Sequence, residues 1–87
     1  MNSETEKVIN DLRDHFGIDV DNLVKRGLLP VMAAKRWLVR ELYFVYARQG
    51  HTTDKNGRTY TDIKNELSAE YGISVSSIEK IIYRGLN

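Results

Sequence analysis

The chain has 87 residues, which is enough for one small domain. Hydrophobic residues make up 41% of it and charged residues 29%, which excludes a disordered or low-complexity chain. It contains no cysteine, which excludes disulfides and thiolate metal sites, and its formal net charge of +1 does not by itself indicate a nucleic-acid partner.

The charges are distributed unevenly along the chain. Residues 1–24 contain two basic and six acidic side chains, residues 25–50 contain six basic and one acidic, and residues 51–87 contain five of each. The basic middle segment can attract phosphates, or it can pack near the acidic first segment; both interpretations stay open.

The first predicted helix covers Thr5–Phe16. The pattern Ser3–Glu6 is typical of a capping box, and Gly17 suits a left-handed stop. A shorter helix follows, capped by Asp19 and ended by Gly27. Three side chains of this helix are predicted to face inward: Val20, Leu23 and Val24. The linker residues after it, Leu28 and Leu29, are predicted to be buried.

The third predicted helix, Val31–Gln49, is the longest, and Pro30 suits its first turn. Its apolar residues cover more than one face, which predicts a central helix or the core of a dimer interface. Its aromatic residues could stack on bases, but we favour the interpretation that they belong to the hydrophobic core: Trp37, Tyr43, Phe44 and Tyr46. The same helix carries a row of basic side chains that could bind phosphate, although we favour the interpretation that they form a solvated helix face: Lys35, Arg36 and Arg40.

A polar loop is predicted at 50–58, with a turn at Asn56–Gly57. Thr59 can then cap a fourth helix, with Asp62 as its acidic partner. The inward stripe of that helix is Ile63, Leu67 and Tyr71, and its predicted outer side chains are Lys64, Glu66 and Glu70.

The segment Tyr71–Ser74 has the chemistry of a tight helix-to-helix corner. Gly72 allows a left-handed helix exit, Ile73 fills the inside of the corner, and Ser74 caps the next helix. The fifth predicted helix ends at Gly85, and its inward face is Val75, Ile78, Ile81 and Ile82.

The stretch Leu67–Ile81, with its corner, resembles the helix-turn-helix DNA-binding superfamily. In that family the first helix has an apolar anchor followed by a small residue, the turn has a glycine and an apolar plug, and the second helix has two apolar residues three apart. The residues in those places here are, in order, Leu67, Ser68, Gly72, Ile73, Ile78 and Ile81. Within the superfamily, Tyr71–Ser74 is similar to the middle-operon activator type of phage Mu, and Asp62–Leu67 to the tryptophan repressor type. The resemblance covers roughly a quarter of the chain.

The resemblance implies that the last helix enters the major groove of double-stranded DNA. The residues implied to contact DNA are Thr59, Thr61, Ser74, Ser76, Ser77, Lys80, Tyr83 and Arg84. Because serines discriminate bases loosely, one copy is not expected to be highly specific, which points to a homodimer on two half-sites or to a larger assembly. The alternative is a protein-interaction module, such as a phage or mobile-element assembly factor, that binds a partner with the same helical corner.

No catalytic motif is evident, so we expect no enzyme and no cofactor. His51 with Asp54 is a weak metal signal, and we expect no metal site. Neither a signal-peptide pattern nor an apolar run of about 18 residues is present, which predicts a cytoplasmic protein with no membrane partner. The predicted fold is all-α: a compact single domain, 1–87, of about five helices with a helix-turn-helix at 59–84.

Overall fold

The structure is a computed structural model, and it describes residues 3–50 and 59–84. These residues form helices only: α1 (Ser3–Phe16), α2 (Asp21–Lys25), α3 (Val31–Gly50), α4 (Tyr60–Tyr71) and α5 (Val75–Arg84). The prediction of an all-α fold of about five helices is confirmed. Most of the predicted polar loop, residues 51–58, lies outside the described residues.

The chain divides into two compact units, Met1–Leu38 (unit 1) and Val39–Asn87 (unit 2), and the division falls inside α3. That 1–87 is a single domain stays a prediction. Within the described ranges, none of the helices has both the length and the apolar character that crossing a membrane requires.

In unit 1, α1 is stabilised at both ends by charge. Acidic side chains occupy its first turn and Arg13 and His15 its last, which suits the helix dipole. The helix begins at Ser3, so the prediction that Ser3 precedes it as a cap is wrong. At the other end, Gly17 has the predicted left-handed backbone, with φ of 67°, and its amide donates to the Arg13 carbonyl at 2.9 Å.

The predicted stop of α2 at Gly27 is confirmed, but the predicted burial of the leucines on either side of it is not. The Leu28 amide donates to the Leu23 carbonyl at 2.9 Å, and the Gly27 amide to the Val24 carbonyl at 3.0 Å, which is a Schellman motif. Leu23 is nevertheless 44% exposed and Leu28 70% exposed. The predictions that Leu23 faces inward and that Leu28 is buried are therefore wrong.

The start of α2 is also later than predicted. Val20 is the N-cap residue and lacks a side-chain cap, while the Asp19 carboxylate accepts from the Asp21 amide at 3.0 Å. Asp19 thus satisfies the first amide of the helix without being its cap.

Lys35 does not belong to a solvated basic row. It is 5% exposed and its ammonium forms an ion pair with Glu4, whose side chain is 63% exposed. A lysine is buried in this way only when it is paired. Arg36 is exposed, and Trp37 packs edge-on against Phe16 with ring centroids 5.5 Å apart.

In unit 2, the described part of α3 supplies core residues, and α4 packs against α5. The buried apolar residues of the unit are Val39, Leu42, Tyr43, Ile63, Leu67, Tyr71, Ile78, Ile81 and Ile82. The predicted inward stripe of α4 and the core position of Tyr43 are confirmed. Arg40 is half-buried; its guanidinium donates to Glu41 at 2.7 Å and lies 5.1 Å from the Phe44 ring centroid.

Candidate nucleic-acid interface

The first turn of α4 is fixed by a reciprocal capping box. The Asp62 amide donates to the Thr59 hydroxyl oxygen, and the Thr59 amide donates to the Asp62 carboxylate, both at 3.0 Å. This confirms the predicted cap. It also leaves Thr59 with only its hydroxyl proton to offer a phosphate, because its amide is already bonded to Asp62. Thr61 is exposed in the same turn.

The exit from α4 has the predicted left-handed glycine. Gly72 has φ of 66° and ψ of 33°, and its amide donates to the Ser68 carbonyl at 2.9 Å. Ser74 then caps α5, since its hydroxyl oxygen accepts from the Ser77 amide at 3.1 Å. The same hydroxyl donates to the Ser77 hydroxyl oxygen at 3.0 Å. These bonds fix where α5 begins and which way its first turn faces.

Opposite faces of α5 have opposite character. Its isoleucines 78, 81 and 82 are at most 9% exposed, and they pack toward the interior of unit 2. Its outer face carries exposed side chains at spacings of three and four, which place them in one row. We call this row the α5 stripe: Ser76, Ser77, Lys80 and Tyr83.

The structure therefore gathers four of the implied DNA-contacting residues on the α5 stripe and places Ser74 at its start. Thr59 and Thr61 lie at the beginning of α4 instead. Arg84 is the last residue of α5, and its side chain lies outside the described part of the chain.

Lys64 does not lie where the sequence pattern predicts. We predicted it on the outside of α4, but it is only 8% exposed. Its ammonium lies 3.1 Å from a carboxylate oxygen of Glu79 and 3.1 Å from the hydroxyl of Tyr83. A signal for this was present in the spacing: Lys64 lies three residues before Leu67 and seven before Tyr71, on the same helical stripe.

These contacts stabilise the charged form of Lys64. The hydrogen bond to the Tyr83 hydroxyl, followed by the bond to Glu79, raises the pKa of Lys64 above its usual 10.5, so the ammonium is charged at neutral pH. Glu79 is a half-exposed acid on α5, beside Lys80 in the chain. Its ion pair with Lys64 lowers the negative potential that α5 presents.

Tyr43 of α3 lies near the same ammonium. Burial raises the pKa of the Tyr43 phenol, and the positive charge of Lys64 opposes that effect. The ring of Tyr60 stacks on Tyr43, with centroids 6.1 Å apart and an interplanar angle of 30°. Tyr43 is 6% exposed and Tyr60 is 47% exposed, so the stack runs from the interior of unit 2 to its surface.

Residues 3–50 and 59–84 contain no group of three or more metal-ligating side chains close enough to hold an ion. The weak metal signal at His51 and Asp54 falls outside those ranges. No protein-family model, curated protein or solved structure matches the chain.

Proposed function

We propose that this chain is a DNA-binding protein that inserts α5 into the major groove. The observation that supports the proposal is the α5 stripe, which is polar, exposed and positioned by a left-handed glycine and a serine cap. A ten-residue helix is about 15 Å long, and the major groove, about 12 Å wide, admits a helix.

Each part of the stripe has a different task in this proposal. Ser76 and Ser77, in the first turn, are short enough to approach base edges closely, though serine discriminates bases loosely. Lys80, one turn on, reaches a guanine edge or a phosphate, and Tyr83 donates to a phosphate near the helix end. Such a protein is a small transcriptional regulator or an accessory DNA-binding protein.

The test of the groove assignment is the salt dependence of binding to a pool of random duplexes. Lys80→Gln with Arg84→Gln should weaken binding and make log Kd against log salt shallower by about 0.9 for each phosphate that is no longer neutralised. The matched control is Lys7→Gln with Arg13→Gln, which removes two cations of α1, outside the basic middle segment and the proposed dimer contact, and should keep the wild-type slope. Equal effects of the two pairs would contradict the assignment.

We also propose that the protein binds as a homodimer, because one stripe offers few base-specific contacts. Exposed apolar side chains of unit 1 are consistent with a contact between copies: Leu23, Leu28 and Met32. Two helices on a dimer would meet half-sites about 34 Å apart. Light scattering should give twice the 10.0 kDa chain mass at high concentration, and a constant mass of 10.0 kDa would contradict the dimer.

A second candidate function is binding a protein partner with the same corner. The balance of charge in unit 2 favours it, because the described residues of this unit include as many acids as bases. The acids are Glu41, Asp62, Glu66, Glu70 and Glu79, and the bases are Arg40, Arg48, Lys64, Lys80 and Arg84. Selection from a random duplex library separates the candidates: enrichment of a sequence supports DNA binding, and failure to enrich any sequence supports the protein partner.

A further inference from the structure

Lys64 is a buried cation whose two partners both lie on α5. Glu79 and Tyr83 are four residues apart, so they project from the same side of that helix. Since Tyr83 is also part of the α5 stripe, the lysine connects the interior of unit 2 with the surface proposed to meet DNA.

The direction of the hydrogen bond to Tyr83 follows from the donor inventory. An ammonium has three donors and no acceptor, so the phenol oxygen accepts from Lys64 and keeps its own proton to donate elsewhere. The ammonium is 3.1 Å from the hydroxyl oxygen but 5.4 Å from the ring centroid. It therefore approaches the hydroxyl end of the ring, where this bond orients the oxygen, and not the centre of its face.

Accepting from a cation also strengthens the donor. In a chain of hydrogen bonds each bond polarises the next, so a phenol that accepts from an ammonium donates more strongly than a phenol in water. Tyr83 is 68% exposed, so this proton is accessible to a ligand. An anionic oxygen is the acceptor that benefits most, because bonds to ionised partners are roughly twice as strong as neutral ones.

We propose that Lys64 is a positioning residue for DNA: it holds the Tyr83 hydroxyl as a donor to a backbone phosphate and cancels the negative charge of Glu79 on α5. The inference rests on the proposed function, and it identifies the phosphate as the group that Tyr83 binds. Lys64 itself does not touch the DNA.

The test is a double-mutant cycle on duplex affinity. Tyr83→Phe should weaken binding about fivefold in the wild type, the equivalent of one hydrogen bond of about 1 kcal/mol. The same change should have no effect when Lys64→Met and Glu79→Gln are already present. That background keeps the net charge at +1, since it removes one cation and one anion, so general attraction to DNA is unchanged.

The outcomes separate the two proposals. A fivefold loss from Tyr83→Phe in both backgrounds overturns the positioning role but leaves DNA binding in place, and so does the absence of any loss in the wild type. Failure of the wild type to bind any duplex overturns both.

Folding of the variants is checked by circular dichroism. If the Lys64→Met, Glu79→Gln protein does not fold, Lys64→Ala with Glu79→Gln serves as the background, since it also removes the Lys64–Tyr83 bond. Tyr83→Phe should again have no effect there, and a fivefold loss would overturn the positioning role. Lys64→Met alone should weaken binding, because it leaves the negative charge of Glu79 uncancelled beside the phosphates, and adding Glu79→Gln should restore the part of the affinity lost to that charge. Absence of any restoration would overturn the charge-cancelling role.

Discussion

Replacing Gly72 with alanine tests the corner through its backbone alone. The residue has φ of 66°, and a Cβ built there meets no atom within 4 Å, so the substitution introduces no clash. The cost is the strain of an L-residue in the left-handed region, about 1–2 kcal/mol. Alanine recovers about 0.4–1 kcal/mol by reducing the entropy of the unfolded chain, which leaves a net loss of about 1 kcal/mol.

Urea unfolding followed by circular dichroism measures this loss as a lower midpoint with an unchanged slope. In thermal unfolding it corresponds to a fall in Tm of about 4–8 °C for a chain of this size. Gly72→Asn should cost less, because asparagine visits the left-handed region more readily than alanine.

Gly17→Ala is the matched control, since Gly17 has φ of 67° and equally empty surroundings but lies outside the corner and outside the proposed dimer contact. It should cost as much stability as Gly72→Ala and leave duplex affinity unchanged. The strain argument is refuted if Gly72→Ala is as stable as the wild type, or if asparagine costs as much as alanine.

Three further predictions concern single residues. Ser74→Ala should lower the unfolding free energy by about 1 kcal/mol, because the Ser77 amide loses its acceptor; an unchanged urea midpoint would contradict the cap. Lys64→Met should destabilise the protein equally from pH 6 to 9, and the difference from the wild type should shrink above pH 10.5, because a raised pKa stabilises the fold below the unfolded value and not above the folded one. A difference that grows with pH, in parallel urea titrations, would contradict the sign. At a concentration where light scattering gives the 10.0 kDa monomer, Leu28→Gln should change the unfolding free energy by less than about 0.5 kcal/mol, because the side chain is 70% exposed in the single chain; a loss of about 2 kcal/mol or more would show that the chain itself covers it.

The features that the sequence predicted well are those decided within a few residues. The Thr59 cap, the Gly72 exit and the Ser74 cap each depend on partners no more than four positions away. Residue type and spacing contain the whole of that geometry, so the corner could be described before its structure was known.

The predictions that proved wrong concern burial, which depends on contacts between residues that are far apart in the chain. Lys64 is buried by partners 15 and 19 residues away, and no local pattern shows that its charge is matched. Leu28 is apolar, which predicts burial, but no other described part of unit 1 covers it and it is 70% exposed. Whether the α5 stripe meets DNA depends on a partner, and for that reason it stays a proposal.

The two lysines that are buried in the described part of the chain differ in the entropic cost of forming their ion pairs. The Glu4–Lys35 pair closes a loop of 31 residues, whereas Lys64–Glu79 closes one of 15. Each doubling of loop length adds about 0.6 kcal/mol of closure entropy, so the shorter loop closes more readily. The α4–α5 corner therefore forms its ion pair at a lower entropic cost than the one that fastens α1 to α3.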